Sequence, residues 1–339
     1  MSPCPAPQDS DASTWPAEIV PIIRKAITVE YVSVSRRGLP VMVPVTPYIE
    51  DDHGTIDVST GLTYPAKAER ARRNPRVALL FSDPVGSGLQ RPPVVLVQGL
   101  ASVRDADLQA NTDRYVRLTM SKLPAAFKGQ PKFMLRGLGA YFARIWIEVT
   151  PTRILWWPSK ALDTEPQEWV PSNAPAATSS DPAPGGHQPP PWLEPPREWR
   201  TVARDAIRRL EQRDLAWIGV DGPVAAPITG LAESHDGFKL TLGPHLPERP
   251  EGPATLTLHA HPASFTSQEN HTFVGEIAWA EDSYVFRVER LLADVSLAGN
   301  TLTRSIGFLR KVRRLRPRLQ EEAARRGQPV PTVRLPGDR

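Results

Sequence analysis

Apolar positions recur at helical spacing over residues 16–26, where Ile19, Ile22, Ile23 and the following Ile27 fall on one side, and this predicts a helix. Residues 28–35 are β-branched and aromatic and predict a strand. Arg37-Gly38 makes a turn, and extended structure resumes over 41–48, with Pro40, Pro44 and Pro47 demanding places where no ladder N–H is needed. Asp51-Asp52-His53-Gly54 reads as a hairpin turn into a strand over 55–60. A short charged helix over 66–73 is stopped by Asn74-Pro75. Strands over 76–81 and 94–104, a helix over 106–120 and a closing strand over 143–149 complete the first half.

The pattern then lapses. Residues 159–197 are crowded with proline, among them Pro166, Pro171, Pro175, Pro182, Pro184, Pro189, Pro190 and Pro191, and read as an extended linker with too little apolar surface to offset ordering. Beyond it the first order recurs: a helix over 199–212 precedes a strand over 215–220. PVTPYIEDDHG (44–54) aligns without gaps on PITGLAESHDG (227–237), and the strand over 97–105 carries Gly99 where that over 274–282 carries Gly275. Two aligned blocks in the same order indicate an internal duplication. One block is missing from the second copy: TYPAKAERARRNP has only HLPERPEGP opposite it, so the cationic helix is gone.

A chain of 339 residues suits two domains, each large enough to bury its own core. The expected division is an N-terminal tail over 1–15, a first domain over 16–158, the linker, a second domain over 198–325 with a basic C-terminal helix, and a tail over 326–339. No run approaches the roughly 20 apolar residues that span a bilayer, and no secretory signal is visible, so a cytoplasmic protein without a membrane partner is expected. The one cysteine, Cys4, excludes a disulfide framework and a thiolate metal site. A net charge of +4 does not mark a nucleic-acid binder.

Chemistry concentrates in GTIDVSTGLTYPAKAERARRNPRVALLF, residues 54–81. A strand delivers the hydroxyls of Ser59 and Thr60 to its end, a loop with Thr63 and Tyr64 follows, and a helix opens with Lys67. Hydroxyls, backbone N–H groups and an ammonium converging at a helix start form a dianion site, aided by the helix dipole. Arg70, one turn on, shares that face. The plain alternative is that Lys67, Arg70, Arg72 and Arg73 are only the wet face of a short helix.

The strand ending in Ser/Thr, the loop, Lys67 standing seven residues before Asn74, and the apolar strand after Asn-Pro-Arg-Val together resemble the pyridoxamine 5′-phosphate oxidase superfamily. VVLVQGLASV (94–103) is similar to that family's central glycine-bearing strand. The resemblance covers residues 16–158 well and 199–300 faintly. It implies an α+β, mostly β architecture: two tandem six-stranded antiparallel split β-barrels of Greek-key type. It further implies binding of flavin mononucleotide (FMN), or of a deazaflavin. Ser59, Thr60 and Lys67 match positions that hold the cofactor phosphate, with Arg70 beside them. Met42, Val43, Pro44, Val45 and Thr46 match the strand that runs beside the tricyclic ring. Ala66 stands where the family commonly has Arg, and the loop is about one residue longer, which leaves room for a deazaflavin.

The expected function is therefore an FMN- or deazaflavin-dependent oxidoreductase acting on a small organic molecule, with the cofactor supplying the chemistry. No obligatory acid–base residue stands out; Tyr48, His53 and Tyr64 are the nearest polar groups. The alternative is a non-enzymatic protein that binds flavin, haem or pyridoxal phosphate. The barrels of this family pair, here within one chain or between two. His259 and His261, two apart on a strand, invite a metal reading but lack a visible third ligand and read as strand-surface residues. The basic stretch 304–326 carries Leu302, Ile306, Leu309, Val312 and Leu315 at helical spacing on or beside it, so it should pack one face on the second barrel. Trp156-Trp157 should plug a barrel end.

Overall fold

The protein is described by a computed structural model covering residues 15–50, 54–173, 178–186, 197–280, 282–296 and 314–338. Its first sheet comprises β1 (Val29–Val34), β2 (Pro40–Val45), β3 (Ile56–Gly61), β4 (Arg76–Phe81), β5 (Val94–Arg104), β6 (Arg144–Trp157) and β7 (Gln167–Trp169). The strands run β2-β1-β4-β5-β6-β3, all antiparallel, with β7 added on β6. Among the described residues the end strands β2 and β3 are joined only through a bridge between Tyr48, just past β2, and Asp57, which leaves the barrel split. Helices α1 (Val20–Lys25), α2 (Ala66–Arg73) and α3 (Leu108–Lys122) accompany it. Asp107 caps α3, its carboxylate accepting from the Ala110 N–H.

After α4 (Trp199–Arg209) come β8 (Gln212–Gly219), β9 (Gly222–Ser234), β10 (Gly237–Leu242), β11 (Gly252–Ala260), β12 (Glu269–Ala280) and β13 (Ser283–Ser296). They close in the order β10-β13-β12-β11-β8-β9. Substituting first-half strands in chain order gives the same circuit, with β9–β10 fully paired where β2 and β3 have one bridge. The glycines of β5 and β12, Gly99 and Gly275, occupy similar kinks: each sits at a register shift in its strand's pairing with the last strand of its barrel. A Cβ on Gly99 would lie 2.6 Å from the Thr150 carbonyl, and one on Gly275 1.9 Å from that of Arg287. Only glycine lets the backbones approach so closely.

The barrels pack on each other within the chain. On β1 the residues Val29 and Tyr31 face the first barrel's core, whereas Val32 joins Met42, Ala78, Leu80 and Leu96 in an apolar layer shared with Leu215, Trp217, Val224 and Leu256 of the second barrel. This two-sided burial explains why β1 has no solvent-facing position. Trp156 and Trp157 divide between the layers, Trp156 entering the first core and Trp157 the shared one, where its indole N–H donates to the His245 carbonyl. They are packing residues of two layers rather than one plug.

Two expectations change. The Pro-rich stretch is docked in part: β7 pairs with β6, and Asp181 accepts the N–H groups of Asp105 and Ala106. The C-terminal helix, α5, is described over 314–325, and its Leu315, Leu319 and Ala323 enter the core of the first barrel, not the second. Leu302, Ile306, Leu309 and Val312 lie outside the described residues. Buried Arg326 fixes the docking through Asp105 and Glu322, and Arg325 through Glu69 on α2. The second barrel has no helix between β10 and β11, in the place of α2.

Candidate functional site

Strand β3 pairs with β6 so that Ser59 lies opposite Trp146, Thr60 opposite Ile145 and Gly61 opposite Arg144. The chain then turns through Thr63 and Tyr64 into α2. Around Gly61, a Cβ would lie 3.4 Å from Arg144 Nη1, 3.7 Å from Thr63 Oγ1 and 3.9 Å from the Tyr64 ring. A guanidinium, a hydroxyl and an aromatic edge thus converge at the end of β3. Arg144 is held there by the rings of Tyr115 and Tyr141, 4.2 and 5.0 Å from its guanidinium carbon, and by a 3.0 Å hydrogen bond to the Tyr115 hydroxyl.

Lys67 is half-buried on α2 and has no hydrogen-bond or ion-pair partner among the described residues. Burial, with repulsion from Arg144 and Arg70, pushes its ammonium down to about 7. Arg70 is likewise lowered to about 10, chiefly by burial, and donates to Ser33 Oγ at 2.8 Å. The buried Thr63 Oγ1 and Arg144 Nε also lack partners. Cations crowded together beside unsatisfied donors make a field that an anion would relieve.

Of the residues expected to hold a phosphate, Lys67 and Arg70 lie near each other and near Arg144, and Ser59 stands two residues before Gly61 on β3. Thr60 is there too, but its hydroxyl donates to the Tyr64 carbonyl at 2.7 Å. Thr63 and Arg144 are additions to the set. The ring-side strand is differently placed. Met42 is fully buried, and its carbonyl accepts from Thr257 and Thr272 of the second barrel, each at 3.4 Å. Pro44 is buried, while Val43, Val45 and Thr46 are half-buried. The Met42 end of the strand expected beside the ring is covered by the second barrel. Two cavities lie away from the Lys67 corner. One, of about 290 Å³, lies beside Ser82, Asp83 and Lys160, and the other, of about 350 Å³, beside Arg76 and Pro223.

Tyr48 donates to or accepts from Thr119 at 2.6 Å in the packing of α3, and the ring of Tyr64 lies 5.8 Å from the Arg318 guanidinium carbon on α5. His53 lies outside the described residues. His259 and His261, expected on a strand surface, are instead buried against the first barrel, because β11 is covered by it.

No family model matches the chain, and no curated protein matches it. Among solved structures it is similar to a conserved hypothetical protein of Mycobacterium tuberculosis, 21% identical over 45% of this chain and 89% of that one, with a TM-score of 0.33. It is similar to an F420 reductase, 15% identical over 42% and 98%, with a TM-score of 0.31. A pyridoxamine 5′-phosphate oxidase-related, FMN-binding protein of Nostoc punctiforme is 14% identical over 38% and 74%, with a TM-score of 0.28. Each match spans about one barrel's share of this chain.

Proposed function

We propose that the first barrel binds the phosphorylated tail of FMN or of a deazaflavin coenzyme and serves a redox reaction of a small organic molecule. The observation that carries this is the Lys67 ammonium, without a partner among the described residues, beside Arg144 and Arg70 at the end of a hydroxyl-bearing strand. Lys67 and Arg144 are the charged donors to the phosphate, Thr63 and Ser59 the neutral ones, and Arg70 adds field from the next turn of α2. The bound coenzyme would supply hydride transfer. The chain's own part is to fix the tail, to keep water out with Tyr64, and to hold the charge of the dianion in a half-buried corner.

The burial of Met42 against Thr257 and Thr272 favours a second reading, a binding protein that holds such a ligand by its tail without turning a substrate over. Titration with FMN and with a reduced deazaflavin, followed by their visible absorbance, tests the shared premise. Lys67→Ala should weaken binding by about 1.5–3 kcal/mol, the value of a charge-assisted contact. Equal affinity in the variant would reduce Lys67 to a surface charge. Turnover by an electron acceptor then separates enzyme from binder.

A further inference from the structure

The interface between the barrels holds a buried polar cluster independent of the Lys67 corner. Glu30 of β1 and Ser82, just after β4, come from the first barrel; Gln212 and Asp214 of β8 and His259 of β11 come from the second. Glu30, Asp214 and His259 have no solvent exposure. Lys160 Nζ donates to Gln212 Oε1 at 2.6 Å, which fixes the amide and makes its nitrogen the donor to Ser82 Oγ at 2.7 Å and to Asp214 Oδ2 at 2.8 Å. Ser82 Oγ also lies 2.9 Å from Asp214 Oδ1 and 3.2 Å from Glu30 Oε2.

A hydroxyl carries one proton and can donate to one of these carboxyls, not to both. The second contact is a hydrogen bond only if that carboxyl is itself protonated. On its other side Glu30 Oε1 lies 2.6 Å from His259 Nε2, and His259 Nδ1 has no partner among the described residues. The pattern fits a neutral imidazole donating from Nε2, since the reverse tautomer would strand a buried N–H. We propose that Glu30 and Asp214 share a single proton through Ser82, and that this proton holds the two barrels together, making the interface a pH-dependent lock.

The charge around the site agrees. The groups facing the pair are Asp83, Lys160, His259 and His261. His261 Nδ1 lies 3.0 Å from the Pro262 carbonyl, and its Nε2 lies 2.6 Å from the Thr28 hydroxyl and 3.1 Å from Asp83 Oδ2; burial opposes its charge, but these neighbours, Asp83 first, hold the imidazole above its ordinary value. Burial, then repulsion from Asp83, pushes Glu30 up to about 8; burial, then repulsion from Glu30, pushes Asp214 up to about 7. Burial lowers His259 to about 4. Glu30, Asp214 and His259 also offer donor atoms within 4.8 Å of one another. Yet 2.6 Å between Nε2 and Oε1 is a hydrogen-bond distance, whereas two ligands about 2.0–2.2 Å from one ion stand roughly 3 Å or more apart.

An acid held above its ordinary value stabilises the fold at low pH and loses that contribution as pH rises through the folded value. The full chain should therefore lose roughly 3–6 °C of melting midpoint between pH 6.5 and 9. Glu30→Gln or Asp214→Asn supplies the bridging hydrogen permanently, so each should flatten that slope. The double variant aims three donors at Ser82, which has two lone pairs, and should melt lower than either single one. Infrared spectra of the native chain should show a protonated-carboxyl C=O stretch that fades near pH 8 and is absent from Glu30→Gln. A flat native profile without that band, single variants as pH-sensitive as the native chain, or a double variant as stable as the singles would overturn the proposal. So would zinc or manganese raising the native midpoint in a way that Glu30→Gln abolishes, which would mark a metal site.

Discussion

Lys67 is a side chain whose burial beside other cations works against the stability of the fold. Its ammonium is held near 7 by burial and by two neighbouring cations, so between that value and its ordinary 10.5 the folded chain binds fewer protons than the unfolded one. Stability limited by this group rises with pH over that window and falls as pH drops through it. Lys67→Met should therefore stabilise the ligand-free chain by about 1–2 kcal/mol at pH 7 and remove the stabilisation that FMN confers, both read from melting curves. A variant that loses stability would show that the ammonium is already satisfied. Lys67 was legible from its place after a hydroxyl-bearing strand, but Arg144 was not. It reaches the corner only because β6 pairs with β3, a contact between residues far apart in sequence. The buried network left a signal that was passed over: one acid within VEYVSV, and another at the start of DLAW, each in an otherwise apolar strand. Such lone acids in doubly buried strands need partners.

At the scale of elements, the β-branched strands and the amphipathic helices α1 to α4 were visible because each carries its own period. What periodicity cannot say is which surface an apolar face meets. α5 carries Leu315 and Leu319 at helical spacing, yet they seat on the first barrel, with Gly139 lying 3.7 Å from Leu319 at its would-be Cβ. The Arg325–Glu69 pair ties α5 to α2, the helix that presents Lys67. Leu319→Ala should cost about 2–4 kcal/mol, as large-to-small changes in cores do, and should raise hydrogen exchange in α2. Unaltered exchange there would mean that α5 docks without supporting the site. The proline-rich stretch misled in the same way: its composition argues against an independent core, but not against lying along β6 and beside Asp105.

For the whole molecule, two barrels of one strand order, with glycine kinks at matching bulges, suit descent from a single repeated unit, a reading that extends the aligned sequence blocks. They differ most where α2 stands, since no helix lies between β10 and β11. The second barrel thus has no counterpart of the Lys67 helix among its described residues, and it forms the wall against which Met42 packs. The functional account thus reduces to a claim about one end of the first barrel: that it grips a dianionic phosphate. Comparing FMN with riboflavin, which has the same ring and no phosphate, isolates that grip. The account predicts that the native chain binds FMN at least about tenfold more tightly, a difference of about 1.4 kcal/mol, and that Lys67→Met erases the preference. Equal affinity for the two, in the native chain, would contradict it.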